Sequence, residues 1–304
     1  MDLKQLAYFV RVAELGSFTR ASIALDIAQP ALSRQIRLLE VELRQNLLTR
    51  NGRGALPTEA GNLLLKHGRG ILHQVELARE ELGAVRGALA GRVSIGLPPS
   101  LSRLIAVPLA HAFKQHLPHA HLTLTEGFSV LMLESLRVGN LDMAVLYDTA
   151  ASPEVEITKL HAEELVLVSK AANTNKPDAR RQSIQLADLA ELPLILPSQP
   201  NAFRMLVDSE ISALGKKPSV TLEVDGLNAI LSLVNEGLGH AVLPSYTLSN
   251  FDGPTPFTLR AIREPRIMTE LMLVRPSRRP STETQKIAAN VVQSVVTQAM
   301  RAYK

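Results

Sequence analysis

Between Gln29 and Arg53 the chain carries five arginines (Arg34, Arg37, Arg44, Arg50 and Arg53) against two acids, Glu40 and Glu42. A guanidinium is a planar fork of donors that matches phosphate oxygens and the major-groove edge of guanine. Within the stretch, Leu32, Ile36, Leu39 and Leu43 recur at i, i+4, i+7 and i+11. A helix with that spacing buries the leucines and turns Ser33, Arg34 and Arg37 outward together. Alone, the pattern fits equally a nucleic-acid surface and an amphipathic helix whose basic side is merely solvated. The rest of the chain has to decide.

Other candidate chemistry is weaker. His116, His119 and His121 form the only histidine cluster, but Pro118 and the mixed surroundings predict a solvated loop, and no metal is expected. Gly127-Phe-Ser129 lacks the second glycine of a nucleophile elbow. Gly237-Leu-Gly239 lacks the third glycine of a dinucleotide loop and follows a helical pattern rather than a strand. Cysteine is absent, which removes disulfides, thiolate zinc sites and cysteine nucleophiles and leans towards a reducing compartment. Neither an enzyme nor a cofactor is expected.

The 304 residues, 46% hydrophobic, suit two or three domains that each bury a core. No run approaches about 20 uncharged apolar residues, and the first residues lack the pattern of a signal peptide, so a cytoplasmic protein is expected, with no membrane partner. The net charge of +4 is a mild bias, and its concentration near the N-terminus is the informative part. Leu3, Leu6, Val10 and Ala13 mark a helix stopped by Gly16; Ser17 is placed to cap a second, and Pro30 suits the first position of a third. Leu47–Arg50 and Ala55-Leu56 flank Asn51-Gly-Arg-Gly54, a hairpin signal. Helix, helix, turn, helix, hairpin is a winged helix-turn-helix plan. A long helix is then predicted from Thr58 to about Leu89, with heptads through Leu64, Ile71, Ala78 and Val85 and through Val75, Leu82 and Leu89. That period predicts a two-helix seam and dimerisation. Beyond Gly91, strands such as Val93–Leu97, Leu122–Thr125 and Leu141–Tyr147 alternate with helices, as do Leu165–Val168, Leu194–Leu196, Val220–Val224 and Ala241–Leu243, which predicts parallel α/β units in two lobes crossing near Glu163 and Arg266.

Gln29-Pro-Ala-Leu-Ser-Arg-Gln-Ile36, Leu39-Glu40, Pro57-Thr-Glu-Ala-Gly61, Gly91-Arg-Val-Ser-Ile-Gly96, Gly139-Asn-Leu-Asp142 and Gly237-Leu-Gly239…Leu243-Pro244 follow one another in an order that resembles LysR-type transcriptional regulators over essentially the whole chain. Ile27-Ala-Gln-Pro-Ala-Leu-Ser33 and Leu141–Asp148 look most like the branch of nitrogen assimilation regulators. The resemblance implies a mainly α winged helix-turn-helix (1–58), a linker and dimerisation helix (59–90), and a two-lobed α/β effector domain like a periplasmic binding protein (91–304). Its lobes would be 91–163 with 267–304, and 164–266. It further implies a dimer of dimers on promoter DNA, contact with RNA polymerase, activation or repression, and a small-molecule effector in the cleft between lobes. An effector-independent regulator with a non-functional cleft is the alternative.

On the family's reading surface stand Gln29, Pro30, Ser33, Arg34 and Arg37, with Arg50 and Arg53 on the wing for phosphates or a narrow minor groove. Many relatives have Ser or Thr where this chain has Ala28, which leaves Gln29 either to cap the helix or to read a base. For the effector, Ser100 and Ser102 follow one strand and Ser198 and Asn201 another, each at a helix start, with Arg204 one turn on. Tyr147 and Asp148 end a strand at the expected lip. Ser100 and Asn201 fit ordinary helix caps equally well, and Asp148 leaves the ligand's charge open.

Overall fold

The computed structural model describes residues 1–51, 54–84, 89–171, 183–248, 257–277, 279 and 281–302. They fall into two units, residues 1–88 with 137–140, and residues 89–136 with 141–304.

The first unit opens with α1 (Leu3–Leu15), whose cap Asp2 accepts from the Gln5 N–H while the Gln5 side chain reaches back to the Asp2 N–H. Gly16, in the left-handed region at φ 62°, ends it. Ser17 caps α2 (Phe18–Ala24) by accepting from the Arg20 N–H. The third helix, α3, spans Gln29–Leu43. Ala28 is its cap and makes no side-chain bond, so Gln29 is already the first helical residue and Pro30 the second. This corrects two expectations: Pro30 does not stand first, and Gln29 does not cap. Leu6, Phe9 and Val12 of α1, Ala21 of α2 and Leu32, Ile36 and Leu39 of α3 are buried together. Each large apolar side chain in such a core contributes about 1.5–3 kcal/mol by leaving water. The wing is an antiparallel hairpin, β1 (Leu48–Asn51) on β2 (Gly54–Pro57). Glu40 ties it to α3 by accepting from the Leu47 and Leu48 N–H groups, at 2.8 and 3.1 Å.

The long helix α4 spans Glu59–Ala84. The Thr58 hydroxyl accepts from the Gly61 N–H and donates to the Asn46 carbonyl, which starts the helix and pins it to the wing. Gly61 is there for closeness: a Cβ would stand 2.0 Å from the Leu47 carbonyl oxygen. Gly61→Ala is therefore expected to cost about 1–3 kcal/mol in denaturant unfolding, the usual range for overpacking against a partner that cannot yield. The expected heptad run needs revision. Leu64 packs into this unit's own core, and Leu89 lies ahead of the next strand rather than in the helix. Val85 falls outside the described residues.

The second unit is built on an eight-stranded mixed sheet. Its first part joins β3 (Ala90–Leu97), β4 (His119–Glu126), β5 (Met143–Tyr147) and β12 (Met268–Pro276) in the order β4-β3-β5-β12. The strand β6 (Val155–Lys170) pairs with β12 through Glu164, and from Leu165 with β10 (Ala241–Pro244) and β11 (Phe257–Arg263). β7 (Ser183–Gln185) closes that edge, and β8 (Leu194–Leu196) and β9 (Val220–Glu223) form a separate parallel pair. Parallel strands alone were expected, but β12 runs antiparallel to both neighbours, because it returns directly from β11 without a crossover helix. The helices are α5 (Pro99–His116), α6 (Ser129–Val138), α7 (Leu186–Leu189), α8 (Ala202–Ala213), α9 (Leu227–Glu236) and α10 (Glu283–Arg301). Leu101, Ile105, Leu109 and Phe113 of α5 share a core with Ala288, Val292 and Val296 of α10. Asp142 fastens this lobe, accepting from the Ser94 N–H and from the Gln285 amide at 2.7 Å each. His119 and His121 lie on β4 rather than in a loop, because β4 pairs with β3 from His119 onward. Among the described residues no three metal-ligating side chains cluster.

Candidate functional site

Two surfaces stand out, one in each unit. On α3 the buried stripe of Leu32, Ile36 and Leu39 fixes the helix, and Arg34 and Arg37 are exposed beside it. Neither pairs with a carboxylate among the described residues. Pro30 is exposed at the helix start, with Gln29 and Ser33 half-buried next to it. Since Glu40 is engaged with the wing backbone, the exposed part of this face is more basic than the sequence count suggests. Arg50 lies on β1 opposite Ala55, and Arg53 is outside the described residues.

In the second unit a cavity of about 50 Å³ opens between β3–α5, β5, α8 and α9. That is room for one or two waters, each taking about 30 Å³ in the liquid. Of the residues expected at an effector site, Ser100, Tyr147 and Asn201 line it. Ser102, Asp148, Ser198 and Arg204 do not, and each has other work. The Ser102 hydroxyl donates to Glu126 at 2.6 Å. Asp148, at φ 47°, accepts from the Thr269 hydroxyl and the Glu270 N–H, locking β5 to β12. The Ser198 N–H donates to Asp225. Arg204 pairs with Asp208 and Glu223 at 2.8 and 2.7 Å and donates to the Pro197 carbonyl. Asn201 does cap α8, accepting from the Phe203 and Arg204 N–H groups. Ser100 sits one residue inside α5, whose cap is Pro98.

Several lining or adjacent residues were not foreseen: Phe128, Phe203, Asp225, Tyr246 and Glu163. Tyr246, on the 3₁₀ turn Ser245–Leu248, donates to the Ser100 hydroxyl at 3.2 Å and is hydrogen-bonded to the Tyr147 hydroxyl. The Tyr147 ring meets Phe203 edge-on at 4.6 Å. Arg103 of α5 donates to Asn228 of α9 at 2.5 Å. These contacts join the part of the sheet around β3 and β5 to the part around β8 and β10. Two of the chain's four tyrosines meeting behind Leu243-Pro244 is a signal the sequence held, though only the fold brings them together.

Behind the tyrosines lies Glu163, at the point on β6 where its pairing passes from β12 to β10. Its carboxyl is pushed up to about 8, first by burial and then by the neighbouring Asp148 charge, against the lowering bond from Tyr147. Burial likewise raises both tyrosine hydroxyls, so they stay neutral donors at physiological pH.

A winged helix-turn-helix with a basic recognition face, a long helix, and an α/β unit with a cleft define a DNA-binding regulator with a ligand-sensing domain. Residues 3–62 match the family described as "Bacterial regulatory helix-turn-helix protein, lysR family", and residues 86–295 match "LysR substrate binding domain". The chain belongs to the LysR family of transcriptional regulators. It is 34% identical over 297 residues to the nitrogen assimilation regulatory protein nac of Escherichia coli K12, covering 97% of this chain and 95% of that one. To the protein of the same name from Klebsiella aerogenes it is 34% identical over 274 residues, 90% of this chain and 88% of that one. Full-length OxyR from Pseudomonas aeruginosa shares the fold, with a TM-score of 0.72, 23% identity and coverage of 98% of both chains.

Proposed function

We propose that this LysR-type regulator is a cytoplasmic, non-enzymatic protein that binds dyad-symmetric promoter sites as a dimer of dimers and acts with RNA polymerase. The observation that carries the DNA reading is the unpaired basic face of α3, held by a buried stripe in a winged helix-turn-helix. Gln29, Ser33, Arg34 and Arg37 enter the major groove with Pro30 at the helix start, and Arg50 and Arg53 hold the flanking backbone. Residues 1–58 serve as the DNA-binding domain, 59–90 as the dimerisation helix and 91–304 as the effector domain. The names of the two nitrogen assimilation relatives point to target genes in nitrogen supply.

The cleft supports an effector whose binding changes the angle between lobes and thereby the bend imposed on DNA. One observation favours the effector-independent alternative: the cavity is small and bridged by the Tyr147–Tyr246 and Arg103–Asn228 bonds. Selection of bound fragments from a random duplex library tests the DNA reading. The expected product is a family of half-sites spaced by about one helical turn, 10–10.5 bp, or its multiples. Equal recovery of all sequences would overturn it.

A further inference from the structure

The polar atoms around the cleft differ in kind from those an anion needs. Among the described residues no lysine, arginine or histidine lines the cavity, and its one charged lining residue is the acid Asp225. The nearby cations are engaged, Arg204 by two carboxylates and a carbonyl and Arg103 by Asn228. Helix N-termini usually supply the missing donors, but here they are depleted. The first residue of α5 is Pro99, which has no N–H, and the next free groups, on Leu101 and Ser102, already donate to the Pro98 carbonyl. At α8 the Asn201 side chain takes two. The start of α9 has no side-chain cap, yet Asp225 stands directly before its cap Gly226.

Acceptors, in contrast, are in surplus. The Tyr246 hydroxyl proton goes to Ser100, and Tyr147 hydrogen-bonds both Tyr246 and Glu163. The chain of hydroxyls thus ends on a carboxyl group, and Glu163 Oε1 is buried with no partner at all. A buried acceptor without a donor costs about 1–3 kcal/mol unless something satisfies it. The rest of the wall is apolar and aromatic, with Phe128, Phe203, Leu227, Ile230 and Leu243. Aromatic faces attract cations as well as alkyl groups.

We propose that the cleft takes a small alkyl or aryl amine, its ammonium group seated on the Ser100–Tyr147–Tyr246–Glu163 cluster, and that it rejects the matching carboxylate. The proposal rests on reading the cleft as the effector site. Binding opens the Tyr147–Tyr246 contact so that the nitrogen can reach the hydroxyls and Glu163. The groups acting on Glu163 are Tyr147, Asp148 and Tyr246, none of them a cation. Because its carboxyl titrates near 8, it holds a proton at neutral pH, and the incoming ammonium displaces that proton. Affinity therefore rises about tenfold per pH unit up to pH near 8 and levels off above it, while the amine stays protonated.

The test is calorimetry and thermal shift on the full chain with isobutylamine and benzylamine against isobutyrate and benzoate, from pH 6 to 9. The expected result is an amine-specific rise in Tm, proton release on binding at neutral pH, and the tenfold-per-unit slope. Glu163→Gln is expected to weaken amine binding at least tenfold above pH 8 and to abolish the slope; should that variant fail to fold, Tyr246→Phe, which loses one acceptor, is expected to weaken binding without changing the slope. Stabilisation by carboxylates but not amines would overturn the ligand class and leave the effector reading standing. No response to either class at millimolar concentration would overturn both.

Discussion

Arg34→Ala is expected to lower affinity for the operator by about a hundredfold or more while leaving the protein folded. Arg34 is exposed on α3, so its loss removes no core contact; Leu32, Ile36 and Leu39 still hold the helix. A two-pronged arginine–guanine pair is worth about 1–3 kcal/mol of discrimination. Each DNA-binding dimer presents Arg34 twice, and costs at separate positions add approximately, so a dimer loses about 2–6 kcal/mol. Fluorescence anisotropy at two salt concentrations separates base reading from phosphate holding. A base contact gives relaxed sequence preference with little change in salt dependence; a phosphate contact gives uniform weakening and a salt slope smaller by about one per contact. Arg34→Lys refines this, since lysine keeps the charge and loses the fork. Unchanged affinity and footprint in Arg34→Ala would remove α3 from the role of recognition helix. Gln29→Ala is informative alongside it: Ala28 is the cap, so any loss in Gln29→Ala reports on DNA and not on helix initiation.

The parts of the molecule legible in the sequence are those governed by short-range rules. Leu32, Ile36 and Leu39 repeat with the helical period and are buried; Ser17 and Asn201 cap; Gly16 and Gly237 end helices at φ 62° and 83°. What stayed hidden depends on partners far along the chain. The Val155–Glu164 half of β6 is too polar to read as a strand, and its order comes from β12, more than a hundred residues on. Arg204 and Asp148 have the right types for a ligand site, but Asp208, Glu223, Thr269 and the Glu270 backbone satisfy them first. Glu163 and Tyr246 carry no local signal. They become a site only because β6 crosses behind the cleft and the 3₁₀ turn after β10 folds back onto Ser100. Charge and spacing thus found the DNA-binding face, where solvent exposure is the functional state, and found only part of the cleft, where competition among buried partners decides.

That difference also bears on the long helix. At 1.5 Å per residue its 26 residues extend about 39 Å. Its first turns are accounted for, since Leu64, Leu65 and Leu72 pack on the core of their own unit. Further along, Ile71, Val75, Ala78 and Leu82 keep the alternating four- and three-residue spacing of a two-helix seam, and Leu82 is 77% exposed. An apolar residue so exposed on a regular stripe is stable in water only at a cost, and a second copy of the helix removes it. Leu82→Glu is therefore expected to shift the protein from oligomer to monomer in light scattering, without lowering the Tm of the N-terminal unit, because Leu82 touches none of its core. Operator affinity should fall by about 10²–10⁴, since binding of the second half-site then becomes bimolecular. Leu82→Ile should restore both properties, which ties the loss to the seam rather than to the helix itself. A Leu82→Glu protein that remains a full oligomer with intact operator affinity would place the dimer interface elsewhere, and the exposed stripe on α4 would then need another partner.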